Sequence, residues 1–297
     1  MAQVIATNTL SQLTQNNLDK SQKAQNQAIE RLSSGQRINS AKDDAAGLAI
    51  SDRMTSQVNG LKQANRNAND GMSMAQTAES ALGAVTDNLQ RVRELVVQAA
   101  NGTYTDEDRQ SINNEIDARL QEVDRIGKDT TFNQKQLLGN GETDYKALDP
   151  ANDLTVKLQI GAFDGQTINL QLTDVRTVAA NLKGAGTSFS TAGNQLIDKD
   201  GKLQSGAKGA LATLDEQIKA IDSTRSTLGA QQNRLESTVE SNAATATNLS
   251  AARSQISDAD YAAEVSAMST AQILQQAGQN VLSQANSVPQ NVLSLLK

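Results

Sequence analysis

The two residue types that do most enzymatic work are missing from this chain: it contains no His and no Cys. Without Cys there is no disulfide, thiolate nucleophile, iron–sulfur cluster or cysteine zinc site. Without His the commonest general base and metal ligand is gone, and with it the Ser-His-acid triad and His-based metalloprotease motifs. Paired carboxylates remain, such as Asp43-Asp44, which could in principle divide acid and base roles. Lys42 and Arg37 stand beside them, so solvated or salt-bridged surface acids are the simpler reading. No catalytic residue, cofactor or metal is predicted, and the chain reads as a non-enzyme.

What the residues can do is pack, and the composition says how. Of 297 residues, 37% are hydrophobic and only 2% aromatic, with three Tyr, three Phe and no Trp. Six rings cannot fill a large globular interior, so thin layers or a narrow helical seam are expected. Only two Pro interrupt the chain. Asn and Gln make up roughly a fifth of it, an amide-rich surface of the kind self-associating chains carry. The net charge of −6 and a pI near 4.9 argue against general nucleic-acid binding. No apolar run approaches the ~18 residues a membrane span needs. Residues 1–8 lack the basic and apolar regions of a secretory signal peptide.

The elements that position the packing residues follow from periodicity. Ile50, Met54, Gln57, Leu61, Ala64, Ala68, Gly71, Ala75, Ala78, Leu82, Val85, Leu89, Val92, Val96 and Ala99 are spaced by alternating fours and threes. That is a heptad sustained over about seven repeats, ended by Asn101-Gly102. Thr105, with Asp108 three residues on, is a helix N-cap. Ile112, Ile116, Leu120, Val123 and Ile126 form the stripe behind it. A third seam runs through Leu211, Leu214, Ile218, Ile221, Arg225, Leu228, Gln232, Leu235, Val239, Asn242, Ala246 and Leu249, with Arg225 and Gln232 at the bundle edge. The three helices are predicted to bundle.

Residues 153–175 alternate on a period of two. Leu154, Val156, Leu158 and Ile160 share one face, Ile168, Leu170 and Leu172 another, and Asp164-Gly165 is a hairpin turn between them. Residues 176–207 are the least patterned stretch and are read as a loop or small excursion. The two ends form a separate pair. Ala6, Leu10, Leu13, Asn17, Ala24, Ala28 and Leu32 lie on one helical stripe, and Ala267, Thr270, Leu274, Ala277, Val281, Gln284 and Val288 on another. Asp258 is a candidate N-cap there, and Pro289 a limit or kink. Neither stripe buries enough apolar area alone to offset its ordering entropy, so each end is expected to be helical only against partners.

Three segments resemble those of a known family. Ala28-Ile29-Glu30-Arg31-Leu32-Ser33-Ser34-Gly35-Gln36-Arg37-Ile38-Asn39-Ser40-Ala41-Lys42-Asp43-Asp44-Ala45-Ala46-Gly47-Leu48-Ala49-Ile50 closely resembles the N-terminal signature of bacterial flagellins. Ala271-Gln272-Ile273-Leu274-Gln275-Gln276-Ala277-Gly278 and Val288-Pro289-Gln290-Asn291-Val292-Leu293-Ser294-Leu295-Leu296-Lys297 resemble the flagellin C-terminus. The similarity covers about 1–175 and 208–297. It implies a mainly α subunit: a long antiparallel coiled-coil or helical-bundle rod with a small β-hairpin region, plus a terminal two-helix coiled-coil domain. The expected division is 1–40 and 256–297 for the two halves of the filament-core domain. The rod takes 41–175 and 208–255. Residues 176–207 form an insert too short for an outer domain.

The resemblance implies a structural subunit of the flagellar filament, exported unfolded and self-assembling into a helical tube outside the cell. A hook–filament junction protein of the same superfamily is the alternative. Implied partners are further copies of the chain, an export chaperone at the C-terminal region, and the filament cap and hook-junction proteins. The filament core would be assembled through Ile5, Leu10, Leu13, Leu32, Leu274, Ala277, Val281, Val288 and Leu295. The rod core would hold Leu61, Leu82, Val85, Leu89, Val92, Ile112, Ile116, Leu214, Ile218, Leu228 and Leu235. Gln90-Arg91-Val92-Arg93-Glu94-Leu95-Val96-Val97 resembles the segment read by the flagellin-sensing Toll-like receptor of a host. It implies contacts at Gln90, Arg91, an exposed Leu95 and Glu115. Some flagellins carry a metalloprotease insert, but that needs His.

Overall fold

The computed structural model describes residues 8–139, 154–183 and 207–295. It is mainly helical: α1 (Thr9–Ser34), α2 (Ala45–Ala99), α3 (Asp106–Asp129), α4 (Val175–Lys183), α5 (Ala207–Ser257) and α6 (Tyr261–Leu295). Two small antiparallel pairs complete it, β1 (Thr131–Phe132) with β2 (Lys135–Gln136) and β3 (Thr155–Gln159) with β4 (Thr167–Gln171). The chain divides into two compact units, one of residues 1–58 and 246–297, the other of residues 59–245.

The larger unit holds one continuous apolar core contributed by α2, α3, α4, α5 and the β3–β4 hairpin. On α2 the buried row is unbroken from Leu61 through Ala64, Ala68, Gly71, Ala75, Ala78, Leu82, Val85, Leu89, Val92 and Val96 to Ala99. Upstream the seam changes phase. Ile50 is exposed and Met54 and Gln57 only half-buried, while Ser51 and Val58 are buried in their place. This turn of α2 lies in the smaller unit, where Thr55 faces Arg253 rather than the bundle. On α5 one heptad row is fully buried, Leu214, Ile221, Leu228 and Leu235. The other row, with Leu211, Ile218, Arg225, Gln232 and Val239, is half-exposed, as a helix at the margin of a bundle should be.

Local chemistry sets the boundaries. Thr105 Oγ1 accepts from Asp108 N at 3.3 Å and Asp108 Oδ2 accepts from Thr105 N at 3.0 Å, a reciprocal capping box. At the other end of α3 the fully buried Gln136 donates through Nε2 to the Lys128 carbonyl at 2.9 Å, satisfying a helix-end acceptor. The β1–β2 turn, which periodicity does not reveal, places Asn133 and Gln134 at φ 49 and 63. Such primed turns suit the strand twist.

Val175, Val178 and Leu182 are buried on one face of α4, so the segment after the hairpin starts as a helix and not as a loop. Residues 184–206, the rest of the expected insert, lie outside the described residues. The β3–β4 register pairs Val156 with Leu170 and Leu158 with Ile168, with Gly165 at φ 81 in the turn. The hairpin's backbone is gripped by amides from two helices. Asn67 Nδ2 donates to the Gln159 carbonyl (3.0 Å), Asn242 Nδ2 to Ile160 (2.7 Å) and Gln231 Nε2 to Asn169 (3.1 Å).

The smaller unit is built on the antiparallel pair α1 and α6. Gly35, in the left-handed region at φ 70, ends α1. The connectors then run alongside each other: Arg37 N donates to the Ser257 carbonyl (2.7 Å) and Ala259 N to the Gly35 carbonyl (3.0 Å). The cap of α6 is Asp260, whose Oδ1 accepts from Ala262 N and Ala263 N, and not Asp258. Asp258 instead accepts from Ser257 Oγ and pairs in a bridge with Gln36. The helix continues through Pro289 to Leu295, so proline does not end it.

Candidate assembly and recognition surfaces

The α1–α6 seam is unusual in what it hides. On α1 the residues turned inward are Ser11, Thr14, Leu18, Ser21, Gln25, Ala28 and Leu32, spaced by threes and fours. On α6 they are Glu264, Met268, Ala271, Gln275, Gly278, Leu282 and Ala285, again a heptad. Leu18, Leu32, Met268 and Leu282 are its larger apolar members, the rest is small or polar, and it is stitched by polar links. Asn8 Nδ2 donates to the Ala285 carbonyl (2.8 Å), Ser11 Oγ to Asn286 Oδ1 (2.9 Å), and Gln275 Nε2 to Gln22 Oε1. Arg31 and Glu264 form an ion pair at 3.0 Å. The paired positions keep a nearly constant sum, which is the signature of a fixed antiparallel register.

The bulky apolar residues are on the outside. Leu10, Leu13, Ile273, Leu274 and Val281 each keep half or more of their surface exposed. Ala277 is exposed and Leu32 half-buried. On α6 the stripe read from periodicity is not the row that pairs with α1, and on α1 the two rows share only Ala28 and Leu32. Leu10, Leu13, Leu274 and Val281, expected to assemble the filament core, face away from the seam within the chain. Two rows are available on each helix, and the one with more small residues permits the closer approach. Ile5 lies outside the described residues, as do the side chains of Val288 and Leu295.

On α2, Gln90 and Arg91 are exposed. Arg91 Nε lies 3.2 Å from Glu115 Oε1 on α3, and its Nη1 3.0 Å from Glu94 Oε2. Hydrogen bonds donated to Glu94, then to Glu115, hold the guanidinium more firmly in its charged form. Arg93 pairs with Asp215 on α5 at 2.7 Å. Leu95 is not an exposed anchor: it is 2% accessible and belongs to the core. A helix that packs against several neighbours needs an apolar stripe wider than a two-position seam. Leu95, one residue before Val96, widens it. The remaining expected rod-core residues, Leu61, Leu82, Val85, Leu89, Val92, Ile112, Ile116, Leu214, Leu228 and Leu235, are buried, and Ile218 packs half-buried against them.

The carboxylate pair Asp43-Asp44 is occupied with backbone geometry. Asp43 Oδ2 accepts from Ser40 N and Ser40 Oγ, both at 3.0 Å, and these bonds hold its carboxyl below the usual range. Asp44 Oδ1 accepts from Gly47 N at 2.9 Å at the start of α2. Among the described residues no group of acidic side chains is placed to hold a metal, and no helix is long and apolar enough to cross a membrane.

Comparison with known proteins agrees with this architecture. Residues 5–143 match the bacterial flagellin N-terminal helical region and residues 211–296 the bacterial flagellin C-terminal helical region. A flagellin of Xenorhabdus nematophila is 47% identical over the whole of both chains. One of Bacillus subtilis is 43% identical over 99% of this chain and 98% of its own. A flagellar hook-associated protein from Vibrio parahaemolyticus, described as putative, shares the fold at a TM-score of 0.55. Its identity is 15%, over 73% of this chain and all of that one. The chain belongs to the bacterial flagellin family, the structural subunits of the flagellar filament.

Proposed function

We propose that this chain polymerises through the outward apolar faces of α1 and α6, and that the polymer is the extracellular filament of the flagellum. The observation that carries the reading is the set of large apolar residues the terminal pair leaves outside, Leu10, Leu13, Ile273, Leu274 and Val281, while much of its seam is small or polar. Burying one such side chain contributes about 1.5–3 kcal/mol. Within a single chain Leu10, Leu13, Ile273, Leu274 and Val281 realise little of this; a neighbouring copy would supply it. Folding of the ends is then coupled to assembly, which keeps the subunit fit for unfolded export and leaves the C-terminal region available to a chaperone. Cap and hook-junction proteins would meet the same ends. The role is structural, not catalytic. Relatives above 40% identity are flagellins, and nothing favours the hook-junction alternative.

The test is a double substitution at outward positions, Leu13→Ser with Val281→Ser, assayed by seeded sedimentation. Monomer helicity should be unchanged and pelletable filament lost. Filament yield equal to wild type would overturn the reading.

A receptor surface on α2 and α3 is proposed with a narrower footprint than the sequence suggests: Gln90, Arg91 and Glu115, without direct contact from Leu95. Its support is the exposed cross-helix pair of Arg91 and Glu115. A reporter-cell assay with purified monomer should lose potency for Arg91→Ala. Equal potency would remove the site.

A further inference from the structure

The turn between α2 and α3 contains a reactive dipeptide for which packing gives no reason. Asn-Gly occurs at 59–60, 101–102 and 140–141, the last outside the described residues. In this dipeptide the glycine nitrogen can attack the asparagine side-chain carbonyl, because glycine has no Cβ to obstruct the approach or restrict the backbone. The attack needs an uncommitted N–H, a backbone outside regular structure, and an Asn side chain lying toward the next peptide.

Asn101 and Gly102 meet these needs. Both are exposed and lie beyond the end of α2 at Ala99. Asn101 N donates to the Gln98 carbonyl, but Gly102 N makes no hydrogen bond with another described group. Thr103 N donates to Asn101 Oδ1 at 3.4 Å, so the Asn side chain is folded forward along the chain over the Gly102 peptide. Glycine is not demanded by geometry here. Gly102 does not have a positive φ, and a Cβ at this position would meet nothing within 4 Å. Asn59-Gly60 is the opposite case. It lies inside α2, where the glycine N–H is part of the helical ladder. A Cβ on Gly60 would approach the Ala162 Cβ at 2.9 Å, so this glycine serves packing.

We infer that Asn101 is a site of non-enzymatic deamidation in the folded protein. Gly102 N loses its proton to a solvent base and bonds to Asn101 Cγ. The Cγ–Nδ2 bond breaks, ammonia leaves with the returned proton, and a succinimide ring remains. Water then opens the ring. Cleavage at the side-chain carbonyl gives aspartate; cleavage at the main-chain carbonyl gives isoaspartate and carries the backbone through Cβ and Cγ. Nothing is oxidised or reduced. The product places a negative charge at the C-terminal end of α2, where the helix dipole disfavours it. Arg109, whose Nη2 is 3.4 Å from the Asn101 carbonyl, is the cation at hand. The inference does not depend on polymerisation.

The full chain is incubated folded in mildly alkaline buffer and sampled over time. Peptide mass mapping reads amide loss, and labelling by isoaspartyl methyltransferase reads the isomer. Asn101 should convert first, with isoaspartate the larger product, while Asn59 retains its amide. In denaturant the two should convert at matching rates. G102A, which has space for its Cβ, should stay folded and slow the conversion severalfold or more. Conversion of Asn101 no faster than that of Asn59 in the folded chain, or an unchanged rate in G102A, would each overturn the inference.

Discussion

Leu95→Ala should cost about 2–5 kcal/mol of stability, because its side chain is enclosed by the bundle core. A denaturant melt measures this, and an unchanged midpoint would return the side chain to the surface. Arg91→Ala should leave stability nearly unchanged, since its partners Glu94 and Glu115 are solvent-screened. The pair of variants therefore separates a receptor contact from a folding defect: loss of signalling by Leu95→Ala alone would report instability. Asp108 sets an acid response at the same scale. Thr105 holds its carboxyl below the usual value, so its unfolded pKa, about 3.9, is the higher of the two. The stabilisation is full above that pH and is lost as pH falls through the folded value. Helicity followed from neutral to about pH 2 should decline less in Asp108→Asn, which begins from lower stability. This cap was legible because the box is local. The position of Leu95 was not, because periodicity identifies a seam but not how many neighbours a helix has.

The hairpin shows how an amide-rich composition is used. Asn67→Ala or Asn242→Ala should destabilise the larger unit by about 1–3 kcal/mol, since each leaves a hairpin carbonyl without its donor. Hydrogen exchange confined to β3 and β4 would report it. Alternation in the sequence reveals both strands and the Asp164-Gly165 turn, but not which helix amides hold them. For α1 and α6 the sequence shows a heptad on each helix but not which row the two helices share. Leu10, Leu13, Leu274 and Val281 lie on the periodic stripes, while Thr14, Ser21, Gln25 and Gln275 occupy the seam between the two helices. Gln25 Oε1 is buried there without a hydrogen-bond partner among the described residues. Gln25→Leu should stabilise the pair by about 1–3 kcal/mol, read as a higher melting temperature of the filament. A lower melting temperature would mean that the amide is satisfied in solution. Val175, Val178 and Leu182 on α4 escaped notice because nine residues carry only a short apolar repeat.

At the scale of the whole chain, a stable core in residues 59–245 is joined to a terminal pair whose apolar residues face outward. Deleting residues 1–32 or 259–297 should abolish polymerisation and leave the larger unit helical, as circular dichroism and sedimentation would show. The most direct test of the account is a cryo-electron microscopy map of filaments grown from this chain alone. It should show Leu10, Leu13, Leu274 and Val281 buried between neighbouring subunits, with Thr14 and Gln25 still on the seam within one subunit. A map with those four side chains facing solvent, or mated to one another within one subunit, would contradict it.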